Sequence, residues 1–380
     1  MIWLLGVIGL RWAGLHWFAA LALVMLAFSL FMSMDPLLLA LEFARLRQFG
    51  ELLALPLIFY SGHLLLQTQA ERPGSAANAG WTSAIDLGSG LWLVQPSSQG
   101  RAPVLNHSGL PALLVAPSAL MLLLWLVMNF VSPGRTPALE QVFLAGLVPG
   151  ALLWVWLRAV AIRSGRQHAL AHGTLHMRAR PAVVDVLSWL VVTIALVGFY
   201  LGRWALPEAA ALSALALSVG ALITGRATPA RLTELVLAGL RDFGQVALLL
   251  GLGLAWAAVV FDGGLDRGWL ARSLPLAPGT YPAALIVGLW LGAAWAVLAW
   301  LLKPLPALVV GAPFLIPAAL IAGLPPATLA TLSALALYFG YQIGQAERGS
   351  GLSAVALTLA ATVLVPALTV WLPARLLGSG

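Results

Sequence analysis

Apolar runs of about 20 residues, the length of helix that crosses a bilayer core, recur along this chain from residue 17 to residue 373. They fall at about 17–34, 49–67, 110–131, 139–162, 182–201, 207–224, 244–261, 281–302, 306–323 and 352–373. In hydrocarbon every backbone N–H and C=O needs a partner inside the protein, which leaves helices or closed barrels. These runs are long, rich in Leu and Ala, and do not alternate, which argues against a barrel. Only 9% of the 380 residues are charged, against about 25% in a soluble domain. The expected fold class is an all-α polytopic membrane protein with roughly 9–11 membrane segments.

Charge orients such a chain. The 20 Lys and Arg exceed the 13 Asp and Glu, a formal charge of +7. Basic loops lying against anionic lipid account for the excess, so the expected partner is the lipid bilayer and no nucleic acid. Residues 163–181 carry Arg163, Arg166, Arg178 and Arg180 with no balancing acid, and the positive-inside rule makes this a basic cytoplasmic loop. Arg226, Arg231 and Arg241, two crossings later, read as a second cytoplasmic loop. The 262–280 loop sets Asp262 and Asp266 against Arg267 and Arg272 and fits the outer side. The chain has no cysteine, which removes disulfides and thiolate metal sites. MIWLLGVIGLRW lacks a basic n-region and a small-residue cleavage site, so no removable signal peptide is expected. No GxxxxGK[ST] is present, which disfavours a self-contained ATP-driven pump.

Three stretches break the apolar pattern. Residues 68–109 are polar, rich in Gly, Ser, Asn and Pro, and read as an exposed or partly re-entrant loop. Residues 37–47 place Glu42, Arg45 and Arg47 along one side of a helical pattern, either an interfacial helix or the tapering start of the next span. Tyr338–Leu352, YFGYQIGQAERGSGL, sets Gly340, Gly344, Gly349 and Gly351 around Gln345 and the adjacent Glu347 and Arg348. Glycine-broken backbone with ionisable side chains is tolerated at membrane depth where it is buried in protein or lines a cavity. The reading of 324–351 is therefore a re-entrant hairpin plus an unwound segment. Interrupted apolar segments pair across the chain, 51–66 with 110–118 and 303–317 with 338–352. Such paired breaks mark substrate and ion sites in inverted-repeat transporters.

Several residues carry two readings. Glu347 and Arg348 are either an internal charge pair, with Arg348 holding a substrate carboxylate or replacing a coupling cation, or a solvated loop between spans. Glu208 either lines a cavity or compensates a helix N-terminus, the second being favoured. Ser61 and Gly62 belong to a site in the first half or to helix packing. His168, His172 and His176 suit a metal only on a helix, and a basic loop containing Gly173 accounts for them better. Lys303 reads as a snorkelling residue at a helix end. The sequence contains no nucleophile–base set, so the chain is not expected to be an enzyme.

From residue 113 onward the order of motifs resembles the large membrane subunit of tripartite ATP-independent periplasmic (TRAP) transporters. Ala116-Pro117-Ser118 is similar to the family's Pro-Pro-Ser segment, and Phe143 to Gly150 to its Phe-x-Ala-Gly-x-x-Pro-Gly helix start. Gly198 to Tyr200 and Leu206-Pro207-Glu208-Ala209-Ala210-Ala211 resemble its Gly-rich turn and Thr-Glu-Ala-Ala-Ala. Pro313, Pro317, Gly323 and Pro326 resemble its Pro-x-x-x-Pro and Gly-x-x-Pro, and Pro56 to Gly62 its apolar Pro-Leu-Phe segment. Ile343, Gly344 and Gly351 keep the spacing of Ile-Gly-x-x-Thr-Pro-Pro-x-Gly, with Glu347-Arg348-Gly349 in place of Thr-Pro-Pro.

The resemblance covers about 49–67 and 113–373. It implies inverted repeats with re-entrant hairpins: a truncated first repeat over 1–162, its hairpin reduced or missing and 68–109 in its place, and a second repeat over 182–380. It further implies a permease in a bacterial inner membrane, driven by an ion gradient with Na+ as the usual coupling ion. Its partners would be a small TRAP membrane subunit and a periplasmic solute-binding protein, and its substrates small organic anions such as C4-dicarboxylates. No other cofactor is expected. The substrate- and ion-binding candidates are Gly344, Gln345, Glu347, Arg348, Gly349, Gly351, Ser61, Gly62, Pro117, Ser118 and Glu208. The alternative is a degenerate, non-transporting scaffold or regulatory subunit, which the shortened first half favours.

Overall fold

The computed structural model describes residues 17–31, 44–70, 119–131, 136–146, 183–262, 281–302 and 304–346, with scattered positions between 6 and 41 and at Gly134. Among them every regular element is helical. The main helices are α1 (Trp17–Phe31), α2 (Ala54–Ala70), α3 (Ala119–Val131), α4 (Val183–Tyr200), α5 (Leu206–Ile223), α6 (Pro229–Asp262), α7 (Tyr281–Leu302), α8 (Pro304–Ile321) and α9 (Pro326–Ala346). Three stretches, Leu206–Ile223, Pro229–Phe261 and Pro304–Ile321, are long and apolar enough to cross a membrane. Among the described residues the architecture is all-helical and compatible with an all-α membrane protein.

Glycine stops and proline starts punctuate the chain. After α5, Gly225 takes φ 69° and lets the Arg226 N–H turn back to the Ala221 carbonyl at 2.9 Å. After α8, Gly323 at φ 86° does the same for Leu324 and Ala319. A left-handed residue at this position is nearly strain-free only for glycine. Pro229 and Pro326 then open the next helices, where a missing N–H costs no helix bond. The Thr228 hydroxyl accepts from the Arg231 N–H and caps α6.

The chain divides into two compact units. One comprises Met1–Phe49, Leu123–Val142 and Gln245–Gly380; the other comprises Gly50–Leu122 and Phe143–Gly244. In the first, α7, α8 and α9 run up, down and up. Trp295 and Leu298 of α7 pack on Gly311 of α8, while Gly340 of α9 lies against the Ala296 backbone of α7. Met25 and Phe28 of α1 meet Ala255, Trp256, Val259 and Val260 of α6, with Phe314 of α8 beside them. Arg45 lies over the Phe130 ring, 5.6 Å from its centroid. In the second unit, Tyr60 and Leu64 of α2 share a buried cluster with Ala214, Leu217 and Ala221 of α5 and Leu235 of α6.

Two local features differ from the sequence reading. Arg231 and Arg241 lie within α6 rather than in a loop, because the residues after Pro229 contain no break that ends a helix. The stretch from Tyr338 is helical as far as Ala346. Gly340 does not unwind it: a Cβ there would strike the Ala296 carbonyl, so its bare backbone serves a close crossing of α9 with α7. The turn at 322–325 joins α8 and α9 as a helical hairpin.

Candidate functional site

In the second unit, α2 crosses α6 so tightly that Gly239 has no room for a side chain. A Cβ there would sit 2.9 Å from the Tyr60 backbone nitrogen and 3.2 Å from the Pro56 carbonyl oxygen. Three residues beyond Tyr60 and three beyond Gly239, His63 and Asp242 face each other. His63 Nε2 is 2.8 Å from Asp242 Oδ2. The side chains are 22% and 10% exposed, so the pair is largely withdrawn from solvent while the imidazole keeps an opening. A carboxylate only accepts, so the proton of this bond resides on Nε2. Nδ1 makes no hydrogen bond among the described residues.

One turn back along α2, the Tyr60 hydroxyl is 2.5 Å from Ser218 Oγ of α5. The single Ser218 proton goes to the Ala214 carbonyl at 2.6 Å, so Tyr60 is the donor. Tyr60 and His63 thus lie on one face of α2 and tie it to α5 and α6 through polar groups set among Leu64, Leu217 and Leu235. A buried polar group without a partner is costly, and a paired one specifies which helices meet.

Of the residues expected from sequence, Ser61 and Gly62 lie in α2 beside this pair. Glu208 is in the first turn of α5, and its Oε2 accepts from the Ala205 N–H at 2.9 Å, the geometry of a helix-terminus carboxylate. Gly344 and Gln345 belong to the last turn of α9. Pro117, Ser118, Glu347, Arg348, Gly349 and Gly351 lie outside the described residues, as do His168, His172, His176, Lys303 and the 71–118 stretch.

Neither Asp242 nor His63 was singled out in the sequence. The signal was present: Leu232, Leu235, Val236 and Leu240 continue a helical pattern up to Asp242 with no proline and no turn. An acid inside such a pattern is a buried-acid candidate. No family model matches this chain, and no curated protein matches it. Among the described residues, no group of three or more His, Cys, Asp or Glu is placed to hold a metal ion.

The other unit has its own polar anomaly. The Ser333 hydroxyl on α9 and the Trp295 indole N–H on α7 are fully enclosed with no hydrogen-bond partner among the described residues. In α8, Pro313 and Pro317 lack the N–H groups that the Val309 and Pro313 carbonyls would otherwise meet.

Proposed function

We propose that the chain is the membrane permease subunit of a secondary transporter for small organic anions, of the TRAP large-subunit kind. It would sit in the bacterial inner membrane with its 163–181 loop in the cytoplasm and make roughly 9–11 crossings. The observation that carries the reading is the His63–Asp242 pair, an ionisable couple held between apolar helices. Ionisable groups in such settings are rare, and they mark ion and substrate pathways. Supporting it are the order of TRAP-like motifs and the α8–α9 hairpin, which leads directly to Gly344–Gly351. In this reading Arg348 binds a substrate carboxylate, the hairpin-bearing part moves between inward- and outward-open positions, and a small membrane subunit and periplasmic binding protein complete the system.

The test is gradient-driven uptake of radiolabelled succinate and malate in cells making the full chain together with a TRAP small membrane subunit and solute-binding protein. Accumulation above that of cells lacking the chain supports a permease. No accumulation, with the chain inserted in the membrane, overturns it in favour of a non-transporting scaffold. The polar 68–109 stretch, standing where the family's first hairpin would fall, favours that second reading. At the residue level, Arg348→Ala is expected to abolish uptake while the protein remains in the membrane; unchanged uptake would remove Arg348 from the site.

A further inference from the structure

We propose that the His63–Asp242 pair binds the coupling ion of this permease and that the ion is a proton. The inference rests on the permease reading and gives its driving ion a chemical identity. With Nε2–H already donated to Asp242, the free acceptor of His63 is Nδ1. An incoming proton adds there, forming an imidazolium whose charge the Asp242 carboxylate neutralises at 2.8 Å. Release of the same proton restores the neutral ring. No bond other than N–H forms or breaks, and no other reactant is needed. Imidazole is the side chain suited to loading and unloading between ordinary cellular pH values. A hard cation such as Na+ prefers several oxygen ligands, and an imidazole in the pair is a poor fit for it.

Among the described residues, no other charged group bonds to this couple. On the packed elements, Glu208 of α5 is bonded to its own helix start, and Arg231 and Glu234 of α6 pair with each other. Arg241 is exposed, Glu51 precedes α2 and is half-buried, and Tyr60 donates to Ser218. The apolar part of α6 runs from Phe243 to Phe261, so Asp242 stands at its N-terminal edge. By the positive-inside rule that edge is cytoplasmic, which gives a proton a way out on that side.

The test uses right-side-out vesicles from cells making the full chain with a TRAP small membrane subunit, in weakly buffered, sodium-free medium with a TRAP solute-binding protein added. A pulse of succinate or malate is given while external pH and radiolabel uptake are followed together. Wild-type chain is expected to make the medium more alkaline as it takes up substrate. His63→Gln keeps an amide N–H for Asp242 but has no base, and is expected to lose the pH change. Asp242→Glu keeps a carboxylate and is expected to retain it. The inference is overturned by uptake that needs sodium and moves no protons, which leaves the permease reading standing. A pH change that survives in His63→Gln overturns it as well. So does its loss in both variants, since that marks a packing role rather than a titrating one. If wild-type chain takes up neither acid with or without sodium, the permease reading fails and the inference falls with it.

Discussion

Asp242 and Ser333 show opposite costs of a polar atom inside an apolar fold. Asp242 has a partner, so its removal leaves His63 without an acceptor. Asp242→Ala is expected to destabilise the folded protein by about 1–3 kcal/mol, the range for orphaning a partly buried hydrogen-bonding group. Thermal unfolding in detergent measures it as a lowered midpoint. Ser333 has no partner among the described residues and is fully enclosed. Replacing its hydroxyl by hydrogen, as in Ser333→Ala, is expected to raise the midpoint or leave it unchanged, with a gain of about 1 kcal/mol at most. A clear loss would show that the hydroxyl meets a group that has gone unrecognised. The burial of Asp242 was legible in the helical pattern around it, but its partner was not, and nothing in the sequence marked Ser333. The pairing of His63 with Asp242 spans 179 residues, and periodicity reports only what happens within a few turns. Glu208 was legible because its bond is local, three residues back.

At the scale of helices, backbone approach decides what glycines do. Gly340 and Gly292 both face the α7–α9 contact, yet their neighbourhoods differ. A Cβ on Gly340 would strike the Ala296 carbonyl, whereas one on Gly292 meets the Leu332 side chain at 3.8 Å, an ordinary contact. Gly340→Ala is expected to push the helices apart at a cost of about 1–3 kcal/mol. Gly292→Ala should be neutral or slightly stabilising, since alanine favours the helix by up to about 1 kcal/mol. Melting curves of the two variants side by side check the contrast, and equal effects would refute it. The spans at 182–201, 207–224, 281–302 and 306–323 are found as α4, α5, α7 and α8 with boundaries within two residues. Their ends are set by Gly and Pro, which the sequence displays. The start of α6 was missed because Arg241 and Asp242 end a hydrophobic run, and a charge does not end a helix.

For the whole molecule, the absence of cysteine makes topology directly measurable. α5 is one of the helices long and apolar enough to cross, and the proposed permease topology puts its flanking turns on opposite sides of the membrane. Arg203→Cys is expected to react with a membrane-impermeant maleimide applied to intact spheroplasts. Arg226→Cys should react only after permeabilisation. Labelling of both from one side would mean that α5 does not cross. Leu190, Ile194 and Val197 leave an apolar surface on α4 exposed in the isolated chain, as expected of side chains that meet lipid.

The length of α6 has a practical outcome for imaging. Its 34 residues make a rod of about 51 Å. Tilted by about 40°, the steep end of the usual range, it still extends about 39 Å along the membrane normal, beyond a hydrocarbon core of about 30 Å. In an electron-microscopy reconstruction the end bearing Arg231 and Glu234 should therefore emerge from the detergent belt. That gives particle images a landmark from which to set their orientation.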